Sequence, residues 1–549
     1  MKLEHSFAFP FSFTIPISTM RSRWEQHLRV NGPSTVQYKV SPMRYGFVID
    51  QDRCIGCHAC TVACKEEHQV PIGVFRTWVK YIEKGEYPNT SRHFGVMRCN
   101  HCDSAPCTTI CPTHALFRRP DGIIDFDNQL CIGCKSCMQA CPYDALYIDP
   151  NSNTAAKCNF CAHRVEANLE PACVIVCPTQ AIIAGDLDDA ASKISHIVAT
   201  KKVSVRKPEK GTQPKLYYVG IDGDLLQPAR LSRQNTYAFS EQRDQRPVQQ
   251  KFDPALTREV YDVTHPAVWG WKIAAYLWTK SIAAGVMILA GVMLGLWPGR
   301  QLSVLNVVSP AIILVALALT MALLVFDLKR PDRFLYLLTK SNFRSWLVLG
   351  AYILMAAGVL ALVWLLSGIF LRHVSPIIGW CAVALGIASA GYSAFLFAQA
   401  KGRDLWQSTA LFFCHLVVQA CVAGSAIFML LFAWESLGSW ENLGLIFISL
   451  FVLLFSMAAS LAVILLEVFR PHARPDAKKA IANMRGGSLW FRFWVLAVGI
   501  GLVLPLLLYT AAIVLETDKF YTVITLLALA GLWFFEDVWV RAGQSVPLS

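Results

Sequence analysis

Sixteen of the chain's nineteen cysteines fall between Cys54 and Cys177, and their spacing admits few folds. They form four groups: Cys54, Cys57, Cys60 and Cys64; Cys99, Cys102, Cys107 and Cys111; Cys131, Cys134, Cys137 and Cys141; Cys158, Cys161, Cys173 and Cys177. The first and third read CIGCHACTVAC and CIGCKSCMQACP, both C-x2-C-x2-C-x3-C. Such spacing puts three thiols on one tight loop and sends the fourth away on a helix.

Three thiols on one loop reach three irons of a cubane, and the fourth ligates a neighbouring cluster, so all sixteen cysteines are expected to be iron–sulfur ligands. A disulfide framework needs an oxidising compartment and usually a small secreted domain. No cleavable signal is expected ahead of the first group, since SFAFPFSFTIPIS is short; residues 1–43 read as an N-terminal extension. Structural zinc accepts C-x2-C pairs, but gives no reason for a third cysteine at x2 and a fourth at x3 followed by proline.

Beyond the cysteines, VFRTWVKYIEKGEYP (74–88), RRPDGIIDFD (118–127) and RKPEKGTQPKLYYVG (206–220) resemble the four-cluster electron-transfer subunit of molybdopterin oxidoreductases of the dimethyl sulfoxide and polysulfide reductase type. The resemblance implies four [4Fe-4S] clusters with crossed ligation. Cys54, Cys57 and Cys60 would join Cys177; Cys158, Cys161 and Cys173 would join Cys64. Cys99, Cys102 and Cys107 would join Cys141; Cys131, Cys134 and Cys137 would join Cys111. Cys107 occupies a position that is Trp in some relatives, which implies a full cubane there. The cluster domain is expected over 44–185. A polar strap containing SRQNTYAFSEQRDQRPVQQK is expected over 186–265.

The remainder, 266–549, has another composition. With 54% hydrophobic and 16% charged residues in 549, the chain is too apolar for an ordinary soluble protein, and the excess lies in this half. Apolar runs of bilayer length occur at 267–297, 304–326, 345–371, 375–400, 408–434, 442–468, 490–515 and 519–540. The expected architecture is therefore an α+β ferredoxin-like double-pair iron–sulfur domain followed by an all-α eight-helix transmembrane bundle. The net charge of +12 does not form one basic face with interleaved aromatics, so no nucleic-acid partner is expected.

An even number of spans puts the cysteine domain and the C-terminus on one face. Fourteen Lys and Arg lie in the loops of that face, from Lys329 to Arg541, against Arg300, Arg372 and Lys519 opposite. The bias predicts a cytoplasmic cluster domain in the cell membrane. The absence of a twin-arginine pair, Arg21 and Arg23 being separated by Ser22, agrees with this. A periplasmic face is the alternative, because a partner can carry the export signal.

DLKRPDRFLYLL (327–338), YSAFLFAQAKGRDLW (392–406) and LEVFRPHARPDAKKAIANMRGG (466–487) resemble loops of the polysulfide-reductase-type, NrfD-like quinone-reactive anchor. Quinone chemistry moves two electrons and two protons, and so needs a hydrogen-bonding pocket with a proton route. Lys272, Lys280, Asp327, Tyr392, His415 and Glu467 are the candidates; Lys272, Asp327, Tyr392, His415 and Glu467, with Gln419, Glu536 and Asp537, fall in the half of the bundle nearer the cysteines. Lys272 is close enough to the first turn to snorkel. Lys280 lies about 12 Å deeper at 1.5 Å per residue, where it needs an acid or water. The histidines His373, His415 and His472 offer no axial pairs, so no haem is expected.

The expectation is an electron-transfer and quinone-reacting subunit. It would relay electrons between a large catalytic partner, by resemblance a molybdopterin oxidoreductase, and membrane menaquinone or ubiquinone. The alternatives are an ion-translocating energy-converting complex, and an anchor passing electrons to another redox protein without its own quinone site.

Overall fold

The computed structural model describes residues 43–86, 88–233, 257–297, 302–434, 440–515 and 520–549. The N-terminal extension up to 42, the middle of the expected strap (234–256), and Arg300 and Lys519 lie outside the described residues.

Among the described residues, eight helices long and apolar enough to cross a bilayer follow one another. They are α1 (Trp271–Leu296), α2 (Val304–Asp327), α3 (Trp346–Leu371), α4 (Pro376–Gln399), α5 (Thr409–Leu431), α6 (Gly444–Phe469), α7 (Phe491–Val514) and α8 (Tyr521–Gln544). Their backbone groups are satisfied within each helix, the only open-ended solution in hydrocarbon. α1 is the central one, 78% buried against 28% for α3. That burial explains why α1 keeps small residues among its large ones, whereas α3 presents Val359 and Leu362 outward.

The cysteine domain is built on two four-stranded sheets. In the first, Tyr45–Asp50 pairs antiparallel with Ile182–Asp186 and parallel with Leu216–Val219, which pairs in turn with Val203–Ser204. In the second, Thr77–Glu86 lies between Asn89–Arg98 and Arg258–Tyr261, and Ser232–Arg233 closes the edge. Two short hairpins, Leu116–Arg118 with Ile124–Phe126 and Leu146–Ile148 with Ala155–Lys157, carry the cysteine loops between them. The expected strap is thus folded at both ends: residues 186–233 and 257–261 supply strands to the cluster domain. Their pairing partners lie far away in sequence, so no local pattern announces them.

The two halves meet at the ends of the helices that carry the C-terminus. Gln139, fully buried, donates to Gln544 Oε1 (2.7 Å) and accepts from Arg403 Nε (2.7 Å). Lys329 N donates to Gly133 O (3.2 Å), Asn342 Nδ2 to Cys111 O (2.7 Å), and Ser345 Oγ to Ile110 O (2.7 Å). Gly133 has φ +67°, and a Cβ there would lie 2.6 Å from Lys329 Cβ, so only glycine allows this cysteine loop to touch the bundle.

Candidate functional site

The two C-x2-C-x2-C loops share one turn. Gly56 and Gly133 have φ +71° and +67°, and His58 and Lys135 each adopt the left-handed region just before the short helix that carries the next cysteine. This reversal turns the three thiols inward. Among the described residues no disulfide joins any of the cysteines.

The thiols gather as crossed sets. Burial raises the Cys54 thiol, and Cys177 and Cys57 raise it further. Cys64 is raised by burial and then by Cys158, Cys173 and Cys161. Burial also raises Cys102, with Cys99 and Cys141 adding to it, and raises Cys134 to about 12, with Cys111 adding to it. One small cavity is lined by Cys99, Cys102, Cys107 and Cys141, and another by Cys111, Cys131, Cys134 and Cys137. Four thiols converging on one space are the donor set of a [4Fe-4S] cubane, in which each sulfur meets its own iron. Among the described residues no group of three or more His, Cys, Asp or Glu side chains stands at single-ion distances.

The sets also form a line. Cys60 faces Cys173, Cys158 faces Cys99, and Cys137 faces Cys107. One end carries the exposed Cys57, the other the membrane-facing Cys134.

Buried cations accompany the thiols. Arg98, fully buried, donates to Cys173 Sγ (3.1 Å) and lies 4.6 Å over the Phe47 ring. Lys157, also fully buried, donates to Cys158 O (2.9 Å). Neither has a carboxylate partner among the described residues, and a buried unpaired cation costs several kcal/mol. Thiolates holding an iron–sulfur cluster would supply the missing negative charge. Sequence reasoning missed both residues; the available signal was a cation directly preceding Cys99 and Cys158.

Cys134 also lines a narrow cavity between the cluster domain and α1 to α4. Its walls are apolar, with Ile273, Leu324, Ala351 and Leu354 prominent. Its polar groups are Tyr276, Asp327, Tyr392, Ser136 and Trp269, and the buried Trp269 Nε1 donor has no partner. Asp327 pairs with Lys135 of the cluster domain at 2.8 Å. Tyr392 reaches the cavity because Gly350 on α3 leaves room, a Cβ there lying 2.2 Å from the ring. Phe334 and Met321, 40% and 37% exposed, bring the cavity to the outer surface beside α2.

Of the six candidates, Asp327 and Tyr392 line this cavity. Lys280 stands behind it: Nζ lies 4.8 Å from the Tyr392 ring centroid and donates to Ser393 Oγ (2.6 Å) and Ala390 O (2.9 Å). Lys272 reaches back to Phe326 O (2.9 Å) at the helix ends, as a snorkelling lysine does. His415 lies elsewhere in the bundle, beside Ser460 (3.2 Å) and Phe535, and Glu467 sits near Arg470 (4.0 Å). Neither lines the cavity. Lys135, Ser136, Trp269 and Tyr276 were not among the candidates; only the fold brings them together.

Comparison with known proteins agrees with both halves. The models for a 4Fe-4S binding domain and a 4Fe-4S dicluster domain match residues 45–66 and 91–187. The chain is 46% identical over 189 residues to a subunit of tetrathionate reductase from Salmonella typhimurium, covering 34% of this chain and 76% of that protein. It is 45% identical over 183 residues to the protein NrfC of Escherichia coli (33% and 82%). With one chain of the polysulfide reductase of Wolinella succinogenes it shares 41% identity over 179 residues (32% and 94%). The model "Polysulphide reductase, NrfD" matches residues 259–546, more than half of the chain. This protein therefore belongs to the NrfD polysulphide reductase family and carries an electron-transfer 4Fe-4S domain fused ahead of its membrane helices.

Proposed function

We propose that the chain is the electron-transfer and quinone-reacting subunit of a membrane reductase complex. Electrons would travel between a separate catalytic subunit and a menaquinone or ubiquinone held in the cavity at Cys134. The observation that carries this reading is that Cys134 and five polar side chains share one apolar cavity reaching the lipid-facing surface. Four [4Fe-4S] clusters, held by the sixteen cysteines in the crossed sets, would supply one-electron chemistry along the line.

The protein's own groups do the rest. The Trp269 indole N–H, an unsatisfied donor, suits a quinone carbonyl, which only accepts. Tyr392 and Tyr276 offer hydroxyls, and the Lys135–Asp327 pair holds a carboxylate in the wall. The apolar walls exclude water and admit the isoprenoid tail beside Phe334. At the far end, Ile55, Val62 and Ile175 are 57%, 65% and 57% exposed around Cys57. That apolar face suits docking of the catalytic subunit, a molybdopterin enzyme in this reading.

The test is anaerobic purification of the native complex with assay of iron, bound quinone and quinone-linked turnover. Trp269→Phe keeps the ring and deletes one donor, so quinone affinity is expected to fall about fivefold, the worth of one hydrogen bond of about 1 kcal/mol. Iron content should not change. Wild-type quinone affinity in Trp269→Phe and in Asp327→Asn, with iron retained, would remove the quinone from this cavity. Turnover would then have to reach another redox protein.

A further inference from the structure

A second large crevice lies on the other side of the junction. It is open to solvent and offers about 670 Å³ between the loop and helix around Cys107 and the connections that flank α3 and α4. Four cations line it: Arg118, Lys210, Arg344 and Lys401. Asp103 is its acid, but Asp103 already serves Arg118 (2.9 Å) and Lys215 (3.3 Å). Lys210 is paired with Asp404 at 2.5 Å. The exposed Arg344 and Lys401 have no carboxylate partner among the described residues. The crevice is therefore electropositive, with two uncommitted cations.

Its position selects the ligand. Arg344 stands two residues before α3 and Lys401 two residues after α4, so both are at the helix ends, where lipid headgroups lie. Between Arg344 and the hydrocarbon, Phe343 is 63% exposed and stacks on Tyr352 (5.6 Å). Tyr352, Met355, Val359 and Leu362 recur at three- and four-residue spacing and lie on one face of α3. Met355, Val359 and Leu362 are exposed. An anion held by Arg344 and Lys401 thus has an apolar track leading from it into the bilayer. A free phosphate would use only the cations.

We infer that this crevice binds the phosphate of an anionic phospholipid, with Arg344 and Lys401 on the headgroup and Phe343 against an acyl chain. The lipid seals the cluster domain onto the bilayer beside Cys107. This assignment is independent of the quinone cavity, which lies against α1 to α4 at Cys134.

The experiment reconstitutes the complex in nanodiscs of phosphatidylcholine, with or without phosphatidylglycerol, and maps lysine reactivity toward an amine-acylating reagent by mass spectrometry. Reactivity at Lys401 is expected to fall about fivefold with phosphatidylglycerol, the equivalent of about 1 kcal/mol per basic side chain at an anionic surface. The exposed Lys193 should not change. Equal Lys401 reactivity in both discs, or protection in phosphatidylcholine discs by inorganic phosphate alone, would overturn the lipid assignment. The footprint uses the unaltered protein, so it decides whether or not variants fold. In addition, Arg344→Gln with Lys401→Gln should retain its iron and co-purify with less anionic lipid; undiminished anionic lipid would contradict the site.

Discussion

Lys280 and Glu536 are the most expensive residues the bundle keeps. Lys280 lies about 12 Å beyond Lys272 along α1, too deep to snorkel, and both side chains are completely buried. The ammonium has two oxygen acceptors, whereas both Glu536 oxygens lack any hydrogen-bond partner. Each is the other's facing charge across α1 and α8. In the quinone reading, Lys280 over the Tyr392 ring would let the pair exchange a proton with the cavity. Lys280→Met alone removes the charge that faces Glu536 and is expected to destabilise the bundle. Lys280→Met with Glu536→Gln should restore expression yet slow quinone-linked turnover and flatten its pH profile. Wild-type rates across pH in the double variant would reduce the pair to a structural one. Such roles were only partly legible in the sequence. A lysine inside an apolar run announces itself, and so do regularly spaced cysteines. Arg98, Lys157 and Lys135 read as ordinary loop charges, because their burial is decided by distant segments that cover them.

Elements were legible where their stability is local. All eight spans agree with the apolar runs to within a few residues, since hydrophobic length alone defines them. The strands at Leu216–Val219 and Arg258–Tyr261 exist only through partners far off in sequence, so a polar stretch concealed part of the cluster domain. The loop between the strands Val203–Ser204 and Leu216–Val219 also supplies a clasp. Lys207, buried, meets Asp476 at 3.2 Å on the helix Pro475–Arg485, which connects α6 to α7. Burial lowers Lys207 to about 8 despite the attraction of Asp476. A lysine lowered on folding binds fewer protons in the folded state, so stability should rise as pH climbs from about 8 toward its ordinary value near 10.5. Lys207→Met should abolish that rise and, by stranding Asp476, cost about 3–5 kcal/mol in thermal or denaturant unfolding. Lys207→Met with Asp476→Leu should recover most of the loss. A rise with pH that persists in Lys207→Met would assign it to another group.

At the scale of the whole molecule, the charge asymmetry has two causes that the sequence alone merges. Several of the cations on the C-terminal face hold the cluster domain: Arg333 donates to Cys131 O (3.1 Å), Arg403 to Gln139, and Lys479 to Ala229 O (3.1 Å). Arg492 and Arg541 are spent on Asp537, at 2.9 and 2.8 Å. Others, Lys340, Arg344 and Lys401 among them, hold no carboxylate among the described residues and stand at the helix ends. These free charges are the ones that membrane potential and anionic lipid act on, at about 2.3 kcal/mol per charge per 100 mV and about 1 kcal/mol per surface cation. Even a handful outweighs the three cations opposite, Arg300, Arg372 and Lys519, so the cluster domain is expected on the cytoplasmic side. Lys193, Lys201 and Lys202 are exposed on that domain and report its side directly. A membrane-impermeant amine reagent should leave them unmodified in intact spheroplasts and modify them in inverted vesicles. Modification in the spheroplasts would put the domain outside, with the catalytic partner beside it. The cation excess would then owe its existence to docking the cluster domain rather than to insertion.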